Sequence, residues 1–145
     1  EDYFKGRSSA EVCIPSNIIL FSRRTSQALQ RLSFDAYPHH RFVLVFNLMT
    51  EGSVTVDGIQ WRIKPKQDFV IFPYQFHYYS ELSDPNIVWL ILTFELQNTV
   101  VMDSFRNRII DLDTSTIKQL SDILEHYQGI KPFLDWKTLK KSPRC

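Results

Sequence analysis

Residues 39–79 read HHRFVLVFNLMTEG, SVTVDGIQWRI, KPKQDFVIFP and YQFHYY in succession, and this stretch decides the fold. Its clearest part is the run from Val54 to Ile63, VTVDGIQWRI. Asp57-Gly58 supplies the two-residue loop of a type I′ turn, whose central positions both need positive φ. That turn predicts Val56 opposite Ile59 and Val54 opposite Trp61. Val54, Val56, Ile59, Trp61 and Ile63 then share one face, and Thr55, Gln60 and Arg62 the other. Phe42 to Met49 and Phe69 to Phe72 are apolar on both faces, as strands covered on both sides are. Pro65 and Pro73 bracket the second of these runs, where a residue without an N–H fits a strand end. In a small β-barrel this order brings His39 and His77, distant in sequence, to the mouth of one cavity.

Upstream, Leu32, Phe34 and Ala36 alternate with Arg31, Ser33 and Asp35, which predicts a half-buried strand. Downstream, Ser83 to Asn86 (SDPN) is a turn by composition. Ile87 to Leu96 follows as a long strand and Phe105 to Leu112 as a weaker one. From Ile14 to Leu96 the reading is almost wholly β, which predicts a sandwich or closed barrel. The period then changes. Ile117, Leu120, Ile123, Leu124 and Tyr127 recur at helical spacing. Asp113, Thr114, or Thr116 paired with Gln119 can cap the start of that helix, and Gly129 and Pro132 stop it. Its narrow apolar stripe suits either packing on the barrel wall or antiparallel pairing with the same helix of a second subunit. Residues 1–12 read as a polar arm, 13–112 as the barrel and 113–145 as a C-terminal helical segment.

With 145 residues, 43% hydrophobic and 14% aromatic, the chain has the size and apolar content of one packed domain. A formal net charge of +1 argues against a nucleic-acid surface over the whole chain. The C-terminal piece differs, because Lys131, Lys137, Lys140, Lys141 and Arg144 face only Asp135. It reads as a solvated basic end or as a junction leading toward something that touches DNA. Cys13 and Cys145 lie near opposite ends with no CxxC spacing, which suggests a reducing compartment. No apolar run approaches the ~18 residues of a membrane helix. The first residue is Glu1 rather than Met, so the chain is expected to be processed or excised.

The candidate chemistry centres on histidine and arginine. A metal site wants three or four converging His or carboxylate ligands. In an extended segment His40 points away from His39, and Arg41, on the face of His39, repels a cation. No protein-held metal is therefore expected, and His39 and His77 read as structural or ligand-binding residues. An arginine inside a barrel needs an oxygen partner. For Arg41 that is either a structural acid, Asp35 or Glu95, or an oxygen-rich ligand. Trp61, Trp89, Tyr78 and Tyr79 offer aromatic surface with polar handles, as core or as pocket lining. His126, on the helix, reads as solvated. No GxSxG element, activated cysteine context or phosphate-cradling glycine loop appears.

The order histidine, strand, Glu51-Gly52, Val56-Asp57-Gly58 hairpin, apolar strand, Pro73 and His77 resembles the N-terminal sensor domain of AraC-type transcriptional regulators, a cupin-like jelly-roll barrel. The resemblance covers most of residues 14–128. It sets His39 at the first histidine of the cupin HxH element and His77 at the histidine of the second element. Arg41 stands where the second histidine would be and Val45 where the metal-binding glutamate would be, so two of four metal positions are lost. Gln67-Asp68 replaces the usual Gly-Asp, and the turn between Pro73 and His77 lacks its glycine. Sensor domains of this family bind a small effector, often a sugar, inside the barrel. They dimerise through helices after it and control a C-terminal pair of helix-turn-helix units.

The expected fold is thus mainly β, a cupin-like jelly-roll barrel followed by one or two C-terminal helices. The expected function is effector binding and dimerisation in a cytoplasmic regulator. It is not an enzyme, carries no cofactor, and reaches DNA only through a part beyond this chain. The expected ligand-binding set is His39, Arg41, Val45, Asn47, His77, Tyr79 and Trp89. The expected homodimer seam is Ile117, Leu120, Leu124 and Tyr127. The alternatives are a metal-dependent cupin enzyme (isomerase, epimerase or dioxygenase) using His39 and His77, or a stand-alone small-molecule-binding cupin.

Overall fold

The structure, a computed structural model, describes residues 14–34, 39–83 and 85–128, without the side chains of residues 31–34, 127 and 128. Among the described residues eight strands form two antiparallel sheets: β1 (Ser16–Thr25), β2 (Phe42–Asn47), β3 (Gly52–Val56), β4 (Ile59–Ile63), β5 (Gln67–Ile71), β6 (His77–Ser80), β7 (Asn86–Glu95) and β8 (Ile109–Asp111). The large sheet runs β1-β7-β2-β5-β8 and the small one β4-β3-β6. Helix α1 (Ser26–Phe34) lies between β1 and β2 in the chain, a 3-10 helix spans Val100–Phe105, and α2 (Thr114–Gln128) follows β8.

Helix α1 packs against β6 and β1. With α1 counted beside β6, the layers read β1-β7-β2-β5 and α1-β6-β3-β4. That is the order of an eight-element jelly roll in which a helix replaces one edge strand. The mainly-β, jelly-roll expectation therefore holds. The strand expected at residues 31–36 does not: residues 31–34 are helical. Thr25 Oγ1 accepts the Ala28 N–H at 3.1 Å, an N-cap that satisfies a free donor of the first turn. Leu29, fully buried, anchors the helix to the interior cluster. A short alternation of apolar residues carries less weight than a cap followed by good helix formers.

The predicted hairpin is present. Asp57 and Gly58 have φ of 48° and 82°, and Val56 faces Ile59 and Val54 faces Trp61 across the ladder. The weaker strand expected over residues 105–112 shortens to β8, because Val100–Phe105 closes into the 3-10 helix.

The large sheet is covered twice. Its inner face contributes Val43, Val45, Phe69, Ile71, Trp89 and Ile91 to the interior, opposite Val54, Val56 and Tyr79 of the small sheet. On its outer face Phe46, Leu48, Val88 and Leu90 pack against Leu120 and Leu124 of α2. Phe42, Val70, Phe72 and Phe94 form a neighbouring cluster that takes Met102 from the 3-10 helix. Asp113 is the helix cap, its Oδ1 accepting the Thr116 N–H at 2.7 Å. Of the two uses open to the α2 stripe, packing on the wall is the one seen. Ile117, Leu120 and Leu124 are 4%, 7% and 0% exposed within the single chain, so they cannot face a second copy without leaving the sheet. The Tyr127 side chain, the arm at 1–12 and the tail beyond 128 lie outside the described residues. Among the described residues no helix is long and apolar enough to cross a membrane.

Candidate functional site

The inner face has a closed end and a mouth, set by the alternation along β2 and β7. Across that pair Asn47 faces Trp89, Val45 faces Ile91 and Val43 faces Thr93. At the closed end the Asn47 side chain is fully answered, while Thr50 Oγ1 is buried without a partner. The Asn47 amide donates to the Thr50 and Ile63 carbonyls, and its Oδ1 accepts the Met49 and Thr50 N–H groups, each at 3.2 Å. Trp89, with no exposed surface, donates Nε1–H to the Thr50 carbonyl at 3.3 Å. Gly52 makes room for its ring: a Cβ there would stand 2.8 Å from Trp89 Cζ2 and 2.5 Å from Leu82 Cδ2. Asn47, expected to read ligand oxygens, instead holds the 48–50 turn and has no free donor or acceptor for a ligand. Val45, 0% exposed, is an apolar wall.

At the mouth the segment before β6 is held in place by side chains. The Asp57 carboxylate accepts the Phe76 N–H and the Gln75 side-chain amide, each at 3.0 Å. Gln75 Oε1 accepts the Phe72 N–H at 2.8 Å. The Tyr74 N–H donates to the His39 carbonyl at 2.8 Å, which ties this segment to the start of β2. These bonds do the work of the missing turn glycine, and Tyr74 itself adopts a φ of 65°. His77 consequently points inward. Its ring meets His39 edge-on with centroids 6.3 Å apart, Tyr79 lies 5.7 Å beyond His77, and Trp89 lies 6.0 Å beyond Tyr79. Four of the expected residues thus form one continuous wall of rings from mouth to closed end.

Burial makes both histidines poor bases, because a charged imidazole loses its hydration there. His77 is pushed down to about 4, chiefly by burial, with His39 adding to the effect and the Gln75 backbone opposing it. His39 is also lowered, first by burial and then by the cations around it, Arg41 above all. Both are neutral at pH 7. His77 Nδ1 has no hydrogen-bond partner in good geometry. Tyr79, 4% exposed, has its phenol held well above its ordinary range by burial, with Arg23 pulling the other way.

Arg41 has the inward parity expected of it, but its guanidinium is already matched. Nε donates to Thr93 Oγ1 at 3.1 Å. A terminal nitrogen donates to the Thr93 carbonyl at 3.2 Å and to the Asn17 carbonyl. Glu95 lies 3.6 Å away as its ion-pair partner. Of the two partners open to Arg41 in the sequence, the structural acid is present, and it is Glu95. His40 and Asn17 also reach the Glu95 carboxylate and hold it below its usual range. This polar knot binds β1, β2 and β7 together at the rim.

One inner-face residue carries no sequence assignment. In β1, Arg23 stands opposite Trp89 and Phe21 opposite Ile91, both inward positions. The Arg23 guanidinium lies 4.6 Å from the Phe21 ring centre and, among the described residues, donates to the Ser22 carbonyl alone, at 3.0 Å. A basic residue continuing the Ile19, Phe21 alternation was the available signal. Elsewhere, Asp122, Glu125 and His126 line a shallow depression of about 360 Å³ on the exposed side of α2.

The resemblance to cupin-like barrels noted in the sequence raises the question of a metal. His39 and His77 offer two nitrogens, but Arg41 brings a positive charge and Val45 two methyl groups where further ligands would be needed. Among the described residues no three His, Cys, Asp or Glu side chains gather. This donor set does not fit a divalent ion.

No protein-family model matches the chain. No curated protein matches it either. Among solved structures, a cupin protein from Bacteroides fragilis is similar, with a TM-score of 0.40 and 14% sequence identity, over 66% of this chain and 86% of that one. The jelly-roll assignment itself rests on the strand order.

Proposed function

We propose that this chain is the effector-binding module of an AraC-type transcription regulator, with its small-molecule site between the mouth and the ring wall of the barrel. The observation that carries the reading is the His39–His77 contact. Two neutral imidazoles, one with an unpartnered nitrogen, adjoin the buried Tyr79 and Trp89 rings. Apolar lining with a few unmatched polar groups is what a small-ligand site offers. In this reading the module is not an enzyme and works in the cytoplasm, and ligand contacts shift a population of domain arrangements. His39, His77, Tyr79 and Trp89 form the ligand wall; Arg41, Asn47 and Val45 support it. Pairing with a second copy through α2 uses the exposed flank of that helix, since its apolar stripe covers the sheet. DNA contact belongs to a part outside residues 1–145, as the resemblance implies.

Two experiments test this. Thermal-shift screening against a panel of sugars, sugar acids and hydroxylated aromatics should yield compounds that stabilise the wild-type chain and not His77→Phe, which keeps the ring packing without the nitrogens. A panel whose hits bind both proteins equally refutes the site. Sequencing the reading frame beyond Cys145 should reveal two helix-turn-helix patterns; a frame that lacks them refutes the regulator.

A further inference from the structure

The geometry points to a small carboxylate as the ligand, held by Arg23 with its body against the His77–Tyr79 wall. This deepens the small-molecule reading and rests on it. Arg23 enters the interior at the level of Trp89, its partner across the β1–β7 ladder. Trp89 is fully buried and touches the Tyr79 ring edge-on at 6.0 Å. Phe21, under the guanidinium, is packed against the interior cluster. Arg23 therefore stands beside Trp89 on the large sheet, facing the small sheet that carries His77 and Tyr79 and within electrostatic reach of Tyr79.

Arg23 differs from Arg41 in what it lacks. Arg41, two strands away, has an acid, a hydroxyl and two carbonyls. Arg23 has one carbonyl and an aromatic face, and among the described residues no carboxylate lies within ion-pair distance of it. Among the described residues the one buried acid is Asp68, which stands opposite Phe46 and Ile110 across its ladders and so belongs to the outer face. Glu95, at the rim, is taken by Arg41, His40 and Asn17. A half-buried guanidinium without an anion bears a desolvation cost that a carboxylate offsets through two parallel hydrogen bonds. Two further nitrogens of this interior, Trp61 Nε1–H and His77 Nδ1, are buried without a hydrogen-bond partner. A ligand rich in oxygen and bearing a negative charge complements all of these, whereas a neutral sugar leaves Arg23 unmatched.

The test is isothermal titration of the whole chain with two matched pairs, galacturonate against galactose and para-hydroxybenzoate against para-hydroxybenzyl alcohol. Each pair differs only in carboxylate versus alcohol. In at least one pair the acid should bind at least about tenfold tighter than its neutral partner, and the pair that responds distinguishes a sugar acid from an aromatic acid. Arg23→Gln should abolish that preference and Arg23→Lys should keep part of it. If Arg23→Gln fails to fold, the wild-type preference and the Arg23→Lys protein still decide. Equal binding of acid and alcohol, or acid binding unchanged in Arg23→Gln, overturns the proposal. Tight binding of a neutral compound that His77→Phe abolishes would overturn the carboxylate and leave the small-molecule site standing. Absence of binding by all four compounds overturns it for both ligand bodies.

Discussion

Two parts of the barrel interior, the turn held by Asn47 after β2 and the surfaces that carry His77 on β6 and Arg23 on β1, treat polarity in opposite ways. At the closed end Asn47 makes four hydrogen bonds, all to backbone, around a Trp89 ring so close to Gly52 that no side chain fits between them. Toward the mouth His77 is mostly buried and neutral, with a nitrogen unanswered, and deeper in, beside Trp89 on β1, Arg23 carries its charge with no acid among the described residues. The difference teaches where the molecule is held together and where it can accept something. Saturated polar groups fix a turn and leave nothing for a ligand. Unsaturated ones lower stability and are retained where a partner can complete them.

Substitutions at the two ends should separate on that basis. Asn47→Ala should have the largest effect, a loss of about 2–4 kcal/mol in chemical denaturation, because it leaves several buried backbone groups without partners. A loss below about 1 kcal/mol would mean that the 48–50 turn holds itself and that the closed end is not the rigid one. Arg41→Gln should be the mildest. Its pair with Glu95 is partly open to water, with the two side chains 17% and 27% exposed, so a change of about 1 kcal/mol or less is expected. Affinity for any ligand found should stay within about twofold of wild type, the scale of a surface pair. A several-fold loss of affinity would restore Arg41 to the ligand and blur the contrast between rim and interior.

Much of the architecture was legible in the sequence because its signals are local. The Asp57-Gly58 turn sets its own register, and the doubly apolar runs of β2, β5 and β7 follow from cover on both faces. Helix α1 was not legible from the alternation of Leu32, Phe34 and Ala36. The deciding feature is the Thr25 cap, with Leu29 as anchor, and that cap precedes the misread segment. The meeting of His39 and His77 could be expected from strand order. The role of Asn47 could not, since Ile63 lies far away in the chain; for Arg41 the sequence offered Glu95 as one partner but could not choose it over a ligand, because Thr93 and Asn17 are distant as well. Arg23 was passed over because Arg23-Arg24 near the end of a mixed strand looks ordinary until the ladder shows Arg23 beside Trp89.

The most direct test of the account is the protonation of His77 itself, followed by ring nitrogen and proton shifts in isotope-labelled protein as the pH is lowered. A histidine whose folded pKa lies below its unfolded value stabilises the fold fully above about 6.5, the ordinary value. It gives that stability up as the pH falls toward about 4, because the unfolded chain takes the proton first. Asp68, raised to about 6 by burial, has the opposite slope over nearly the same range, so overall stability would blend the two and the ring must be read alone. The account predicts a His77 ring that stays neutral from pH 7 to below 5, with half-protonation near 4. Half-protonation near 6.5 would mean a solvated ring, and would contradict a dry, ligand-ready wall at the mouth of this barrel.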